Sequence, residues 1–155
     1  MTFIRPTDYS LVVPRLYVGR APHPGVAVAA GVRTVVLCAA EFQPADEFIW
    51  KTYPDVRVLR CPLRDIEQDF APKDAYRIAA TVRAIKKDVH QGRPVLITCM
   101  QGLNRGPLIA AIAIKQYYGF GPSQAIQLLR QKRHPECLYN RKFAAYALRN
   151  TVRMP

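Results

Sequence analysis

Short β-type runs closed by turn-forming residues alternate along this chain with helical patterns, and few folds accept that alternation. Three such runs, Arg33–Cys38, Val56–Cys61 and Pro94–Thr98, are rich in Val, Leu and Ile and bounded by breakers. An earlier pair near Leu11–Val13 and Leu16–Val18 flanks Pro14 and reads as an edge hairpin or a bent strand. Between Pro72 and Gly92, Ile78, Val82, Ile85 and Val89 recur on one helical face, while Lys86, Lys87 and Asp88 fall elsewhere. Residues 107–118 are apolar almost all round, which predicts a helix buried in the domain centre and stopped by Gly119. Ser123 is read as the N-cap of the next helix, with Ala125, Ile126, Leu128 and Leu129 as its buried stripe. A last helix is expected over residues 140–150. Together these elements predict an α/β fold: a central, mainly parallel sheet of about four to five strands flanked by helices, with functional loops at the strands' carboxyl ends.

A chain of 155 residues is long enough for one full core and short for two, so residues 1–155 are expected to form a single domain. Half of the residues are hydrophobic, which argues against long disorder. Residues 1–13 hold no run long enough for a signal-peptide core or a membrane span. The four cysteines, Cys38, Cys61, Cys99 and Cys137, form no CxxC pair and no Cys/His cluster at metal-ligand spacing. Reduced thiols in a cytoplasmic setting are the expectation, and no metal or cofactor is called for. The formal charge of +12 favours anionic ligands bearing phosphate, acidic peptide or nucleic acid. The basic residues are spread along the chain without a Lys/Arg block.

The segment that carries chemistry is Pro94–Ala111, a buried strand, a short loop and a buried helix. Cys99 opens the loop and Arg105 closes it six positions later. Gly102 lets the backbone pass close to a ligand, and a loop of this kind can turn Met100, Gln101, Gly102, Leu103 and Asn104 into a nest of N–H groups around an anion. Such a positive setting makes a cysteine more thiolate-like and more nucleophilic. Arg105 offers a planar fork for two phosphoryl oxygens, which Lys could not copy.

On these residues the chain resembles the cysteine-dependent protein tyrosine phosphatases, and in length their compact dual-specificity branch. Residues 95–111 resemble the signature loop. Residues 13–19, Val-Pro-Arg-Leu-Tyr-Val-Gly, resemble the family's opening "PxLYLG" segment, and Arg33–Cys38 the strand that follows it. Residues 61–65, Cys-Pro-Leu-Arg-Asp, resemble the strand end that delivers a general-acid Asp, and residues 125–148 the closing helices with their "RPxxxxN" turn. The resemblance implies a metal-independent phosphate monoester hydrolase without a cofactor, in which Cys99 forms a phosphocysteine, Arg105 holds the phosphoryl group and Asp65 serves as acid and then base. Asp69 and Glu67 share the Asp65 loop, and position selects Asp65. Asn140 matches the family's Asn that braces the phosphate loop, while Asn ahead of a helix is also an ordinary N-cap. Arg64 and Arg133 are candidates for an outer basic rim, with a solvated arginine as the ordinary reading of each.

Two departures stand out. Thr98 replaces the family's His before the Cys, and Gly106 replaces the Ser or Thr after the Arg, a hydroxyl that in the family helps release the phosphocysteine. The implied substrate is a protein carrying phosphotyrosine, with phosphoserine and phosphothreonine as extensions. An RNA 5′-phosphatase is the less favoured alternative, motivated by Gly102-Leu-Asn-Arg105. A phosphoinositide phosphatase and a phosphate-binding pseudophosphatase complete the set. Cys38, Cys61 and Cys137 are expected to be core or incidental thiols, and His23, His90 and His134 surface or turn residues. A monomer is expected.

Overall fold

The computed structural model of the protein describes residues 9–20, 22–42 and 45–149. The first eight residues of the stretch read as free of a signal-peptide core, and Asn150 at the end of the last predicted helix, lie outside the described residues.

The parallel arrangement follows from the alternation. Strands β1 (Tyr9–Val13), β2 (Leu16–Arg20), β3 (Thr34–Ala39), β4 (Arg57–Leu63) and β5 (Val95–Cys99) form one sheet in the order β1-β2-β5-β3-β4. β1 and β2 make the hairpin, antiparallel around Pro14 and Arg15, with Arg15 held at φ 65°. β2, β5, β3 and β4 run parallel, so their carboxyl ends share one edge.

Helices α3 (Pro72–His90), α4 (Arg105–Tyr117), α5 (Pro122–Lys132) and α6 (Arg141–Arg149) sit on the main core, and α1 (Pro24–Ala29) and α2 (Ala45–Trp50) on the smaller one. Strand residues alternate between the two. Val36, Cys38, Ile97 and Cys99 enter the main core, whereas Val35, Leu37 and Leu96 meet Ala27 and Trp50 on the other side. α4 is buried from Arg105 through Ile114, as its unbroken apolar run requires.

Two sequence readings are corrected. Gly121, not Ser123, caps α5: Pro122 takes the first helical position with its φ already suited to it, and Gln124 accepts a 2.9 Å bond from the Gly121 N–H. Asp88, placed off the apolar face of α3, is fully buried. It accepts from Thr34 Oγ1 at 2.7 Å and pairs with Arg57 at 2.8 Å, the compensation a buried carboxylate needs.

Burial pushes the thiols of Cys61 and Cys137 up to about 11, and that of Cys38 well above its ordinary value. Below pH 9.0 these thiols are protonated in the folded and unfolded chain alike, so they cost nothing. Above it the unfolded chain ionises first. The melting temperature is therefore expected to fall between pH 9 and about 11, and less steeply in Cys61→Ala, as scanning calorimetry across that range would show.

Candidate active site

Strand β5 ends on Cys99 and helix α4 begins on Arg105, so the loop between them lies at the carboxyl edge of the sheet. A hollow of about 520 Å³ opens there, lined by Cys99, Arg105 and Asp65 together with Glu41. Cys99 is 6% exposed, and its Sγ accepts the Gly106 N–H at 3.4 Å. That amide belongs to the first turn of α4, where orphan N–H groups carry partial positive charge.

The loop's carbonyls face away from the hollow. Arg133 donates to Gln101 O at 2.9 Å and to Gly102 O at 3.2 Å, the Leu138 N–H to Leu103 O at 2.7 Å, and the Leu108 N–H to Asn104 O at 2.8 Å. Four consecutive carbonyls held outward leave the amide edge for the hollow, which is the geometry of an anion nest. Gly102 makes the turn at φ 71°, and a Cβ there would come within 2.6 Å of the Gly19 carbonyl carbon. The glycine in residues 13–19 thus has a physical reason: its backbone is the surface against which the loop is packed.

Arg105 is nearly as buried as its helix. Its Nη1 donates to Glu41 at 2.8 Å and to Leu63 O at 3.1 Å, while its buried Nε has no hydrogen-bond partner among the described residues. A guanidinium donor left unpaired in the interior is costly unless an anion takes it. The Nε edge is the part of the guanidinium left without a partner.

Asp65 follows β4 and is exposed on the rim of the hollow. Asn104 Nδ2 donates to one of its oxygens at 3.0 Å and Asn140 Nδ2 to the other, also at 3.0 Å. Asn140 also gives its backbone N–H to Asn104 Oδ1 and caps α6 by accepting from the Phe143 N–H, so brace and cap coexist in one residue. The buried Leu138, at φ 62°, turns this segment onto the loop.

Of the residues singled out from sequence, Met100, Gln101, Leu103, Asn104 and Arg105 line the hollow, and Gly102 packs behind it. Arg64 stands on the rim, but Arg133 is 6% exposed beneath the loop, because the loop carbonyls need its donors. Thr98 projects from the sheet face opposite Cys99 and donates to Val36 O at 3.1 Å, so it touches neither the thiol nor the hollow. Asp69 pairs with Lys142 outside the hollow, and Glu67 is exposed in the same loop. Cys38, Cys61 and Cys137 are buried. His23 caps α1, His90 ends α3 on the surface and His134 lies in a turn. Glu41, Ile66 and Tyr139 were not read from the sequence, and Glu41 carried no local signal at all.

No family model matches the chain, and no curated protein matches it in sequence. Solved structures do match over nearly its whole length. A mouse putative dual specificity phosphatase complexed with zinc tungstate shares 22% identity at a TM-score of 0.77, covering 95% of this chain and 88% of that one. Tk-PTP in its active form shares 22% identity at 0.76, over 91% of this chain and 95% of that one. Human DUSP28 shares 22% at 0.70, over 94% and 97%. The chain has the α/β fold of the protein tyrosine phosphatases. Within that fold it is similar to the compact dual-specificity form.

Proposed function

We propose that this chain hydrolyses phosphate monoesters through a phosphocysteine, with phosphotyrosine in proteins as the favoured substrate and phosphoserine or phosphothreonine as extensions. The observation that carries the reading is the meeting of Cys99 Sγ, the unpartnered Nε of Arg105 and the Asp65 carboxyl at one hollow. The Cys99 thiolate attacks phosphorus as the ester P–O bond breaks, and Asp65 gives its proton to the departing oxygen. Water then attacks phosphorus, Asp65 takes a proton from it, and the S–P bond breaks to return the thiolate. The loop amides and Arg105 hold the three equatorial oxygens in both steps. The exposed apolar side chains of Ile66, Met100 and Tyr139 around the hollow suit the ring of an aryl ester. The similar structures named above are phosphatases by name, which agrees with this chemistry.

Acid quenching of the protein with a labelled aryl phosphate tests the reading, with label expected on Cys99; steady turnover without it would overturn the mechanism. Asp65→Asn is expected to lower aryl phosphate turnover at least about tenfold. Full retained activity would move the acid role elsewhere. Relative kcat/KM on phosphotyrosine peptide, phosphothreonine peptide, 5′-triphosphorylated RNA and inositol lipid ranks the substrate classes.

Gly106 favours a second reading, a chain that forms the phosphocysteine and releases it slowly. A Cβ at position 106 would lie 3.6 Å from Cys99 Sγ and meet nothing closer than 3.4 Å, so a side chain can start there in ordinary contact. Gly106→Ser is expected to raise turnover on the order of tenfold if intermediate release limits the rate. An unchanged rate with an unchanged burst would place the slow step elsewhere.

A further inference from the structure

Asn104 stands where a helix cap stands and does not cap. It is the residue before α4, a place where an asparagine oxygen ordinarily accepts the N–H of the second or third helical residue. Neither is on offer here. Gly106 turns its N–H to Cys99 Sγ, and Pro107 has none. The Asn104 side chain makes no cap bond and reaches across to Asp65 instead, although the residue is 2% exposed.

Three residues from distant segments close a ring at the rim of the hollow. Asn104 Nδ2 donates to one Asp65 oxygen, Asn140 Nδ2 donates to the other, and the Asn140 backbone N–H donates to Asn104 Oδ1, each at 3.0 Å. A main-chain donor fixes which way each amide faces. Asn104 Oδ1 meets the Asn140 N–H and Asn140 Oδ1 meets the Phe143 N–H, which leaves both Nδ2 groups for the carboxyl. Asn140 Nδ2 also donates to Ile66 O at 3.1 Å, so the backbone beyond Asp65 is held with its side chain. Asp69 of the same loop meets the half-exposed Lys142.

An exposed carboxyl on a loop samples several rotamers, and few of them present its proton to a departing oxygen. Fixing both oxygens sets the plane of the group. Each oxygen keeps a lone-pair site outside the ring, and a proton can ride there. Asn104 directly precedes Arg105, so one short segment sets the position of both the guanidinium and the carboxyl.

We infer, on the phosphocysteine reading with Asp65 as acid, that the Asn104 side chain is a positioning group for proton transfer. It acts through Asp65 and not on the ester, and it ties the aim of the acid to the loop that wraps the phosphoryl group. Displacing a proton donor by about 1 Å can cost as much as 10²-fold, so a side chain that only aims the acid has a measurable share of the rate.

The test is the dependence of kcat/KM on the leaving group, compared between phenyl phosphate and p-nitrophenyl phosphate. kcat/KM reports the steps up to departure of the phenol, and release of the phosphocysteine does not enter it. Phenolate leaves poorly without a proton, whereas p-nitrophenolate needs little help. Asn104→Ala is expected to lower kcat/KM about tenfold on phenyl phosphate and about threefold or less on p-nitrophenyl phosphate, with vanadate inhibition within about twofold of wild type. In an Asp65→Asn background the same change should cost less than about twofold on either ester, because the group it aims is gone. Asp65→Glu alters only an exposed rim residue and so protects the fold. It keeps a carboxyl but carries it one methylene past the two amides, and should lose at least about fivefold on phenyl phosphate. Equal losses on the two esters, a matching fall in vanadate affinity, losses that multiply in the double variant, or full activity in Asp65→Glu would each overturn the inference. A wild-type rate in Asp65→Asn on both esters would instead remove Asp65 as the acid, and the role of Asn104 with it.

Discussion

Cys99→Ser is expected to lower hydrolysis of p-nitrophenyl phosphate on the order of 10⁴-fold or more while leaving the fold intact. The substitution exchanges one atom for a smaller one at a nearly buried position, so packing against Ile97 and Gly106 changes little. The chemistry changes greatly, because a serine hydroxyl has a far higher pKa than a thiol and stays un-ionised where a thiol gives up its proton. Asp65, the acid proposed for the leaving group, sits at the rim with both oxygens accepting amide hydrogens from Asn104 and Asn140. The variant should still bind phosphate and vanadate, since the loop carbonyls remain tied outward by Arg133, Leu138 and Leu108. Equal rates in wild type and variant, measured with matched thermal melts, would remove Cys99 as nucleophile.

The residues in this prediction were legible in the sequence because the unit that presents them is local. A strand, a turn and a helix over 17 residues put Cys99 and Arg105 at the two ends of one loop whatever else the chain does. Helices α3, α4 and α5 were legible for a similar reason, each being long enough to repeat its apolar spacing. α1 and α2 have six residues each, fewer than two turns, and leave no period to read. What the sequence hid is whatever depends on distant segments meeting. Arg133 lies 31 residues from the glycine whose carbonyl it holds, and Glu41 lies 64 residues from the arginine it pairs with. An arginine near a predicted pocket reads as a rim residue until the loop's outward carbonyls are seen to need donors. Asp88 is the converse case: a charged residue beside two lysines reads as solvated, yet Thr34 and Arg57 arrive from two strands to satisfy it.

Arg105→Lys should lower kcat on the order of 10³-fold, with a smaller effect on KM and a melting temperature within a few degrees of wild type. The charge survives in this variant, so a site that needed only a cation would tolerate it. The geometry does not survive. Arg105 divides its guanidinium between two tasks: Nη1 is taken by Glu41 and the Leu63 carbonyl, and the Nε edge is left for the ligand. A lysine ammonium is a single point and cannot do both. If it stays with Glu41, the phosphoryl oxygens lose their fork; if it turns to the phosphate, the Leu63 carbonyl loses its donor. Charge spreads over the equatorial oxygens as the P–O bond lengthens, so the loss falls on the transition state more than on the bound ester. A rise confined to KM, with kcat unchanged, would mean instead that Arg105 only gathers the anion, and that the nest of loop amides carries the rest. Glu41→Gln separates the two roles of the pair: the neutral amide keeps a hydrogen-bond acceptor for Nη1 and removes the negative charge beside a guanidinium that is only 3% exposed, so its rate is read beside a thermal melt. A rate close to that of wild type in Glu41→Gln beside a large loss in Arg105→Lys would place the work in the direction of the guanidinium edge, not in the balance of charge around it.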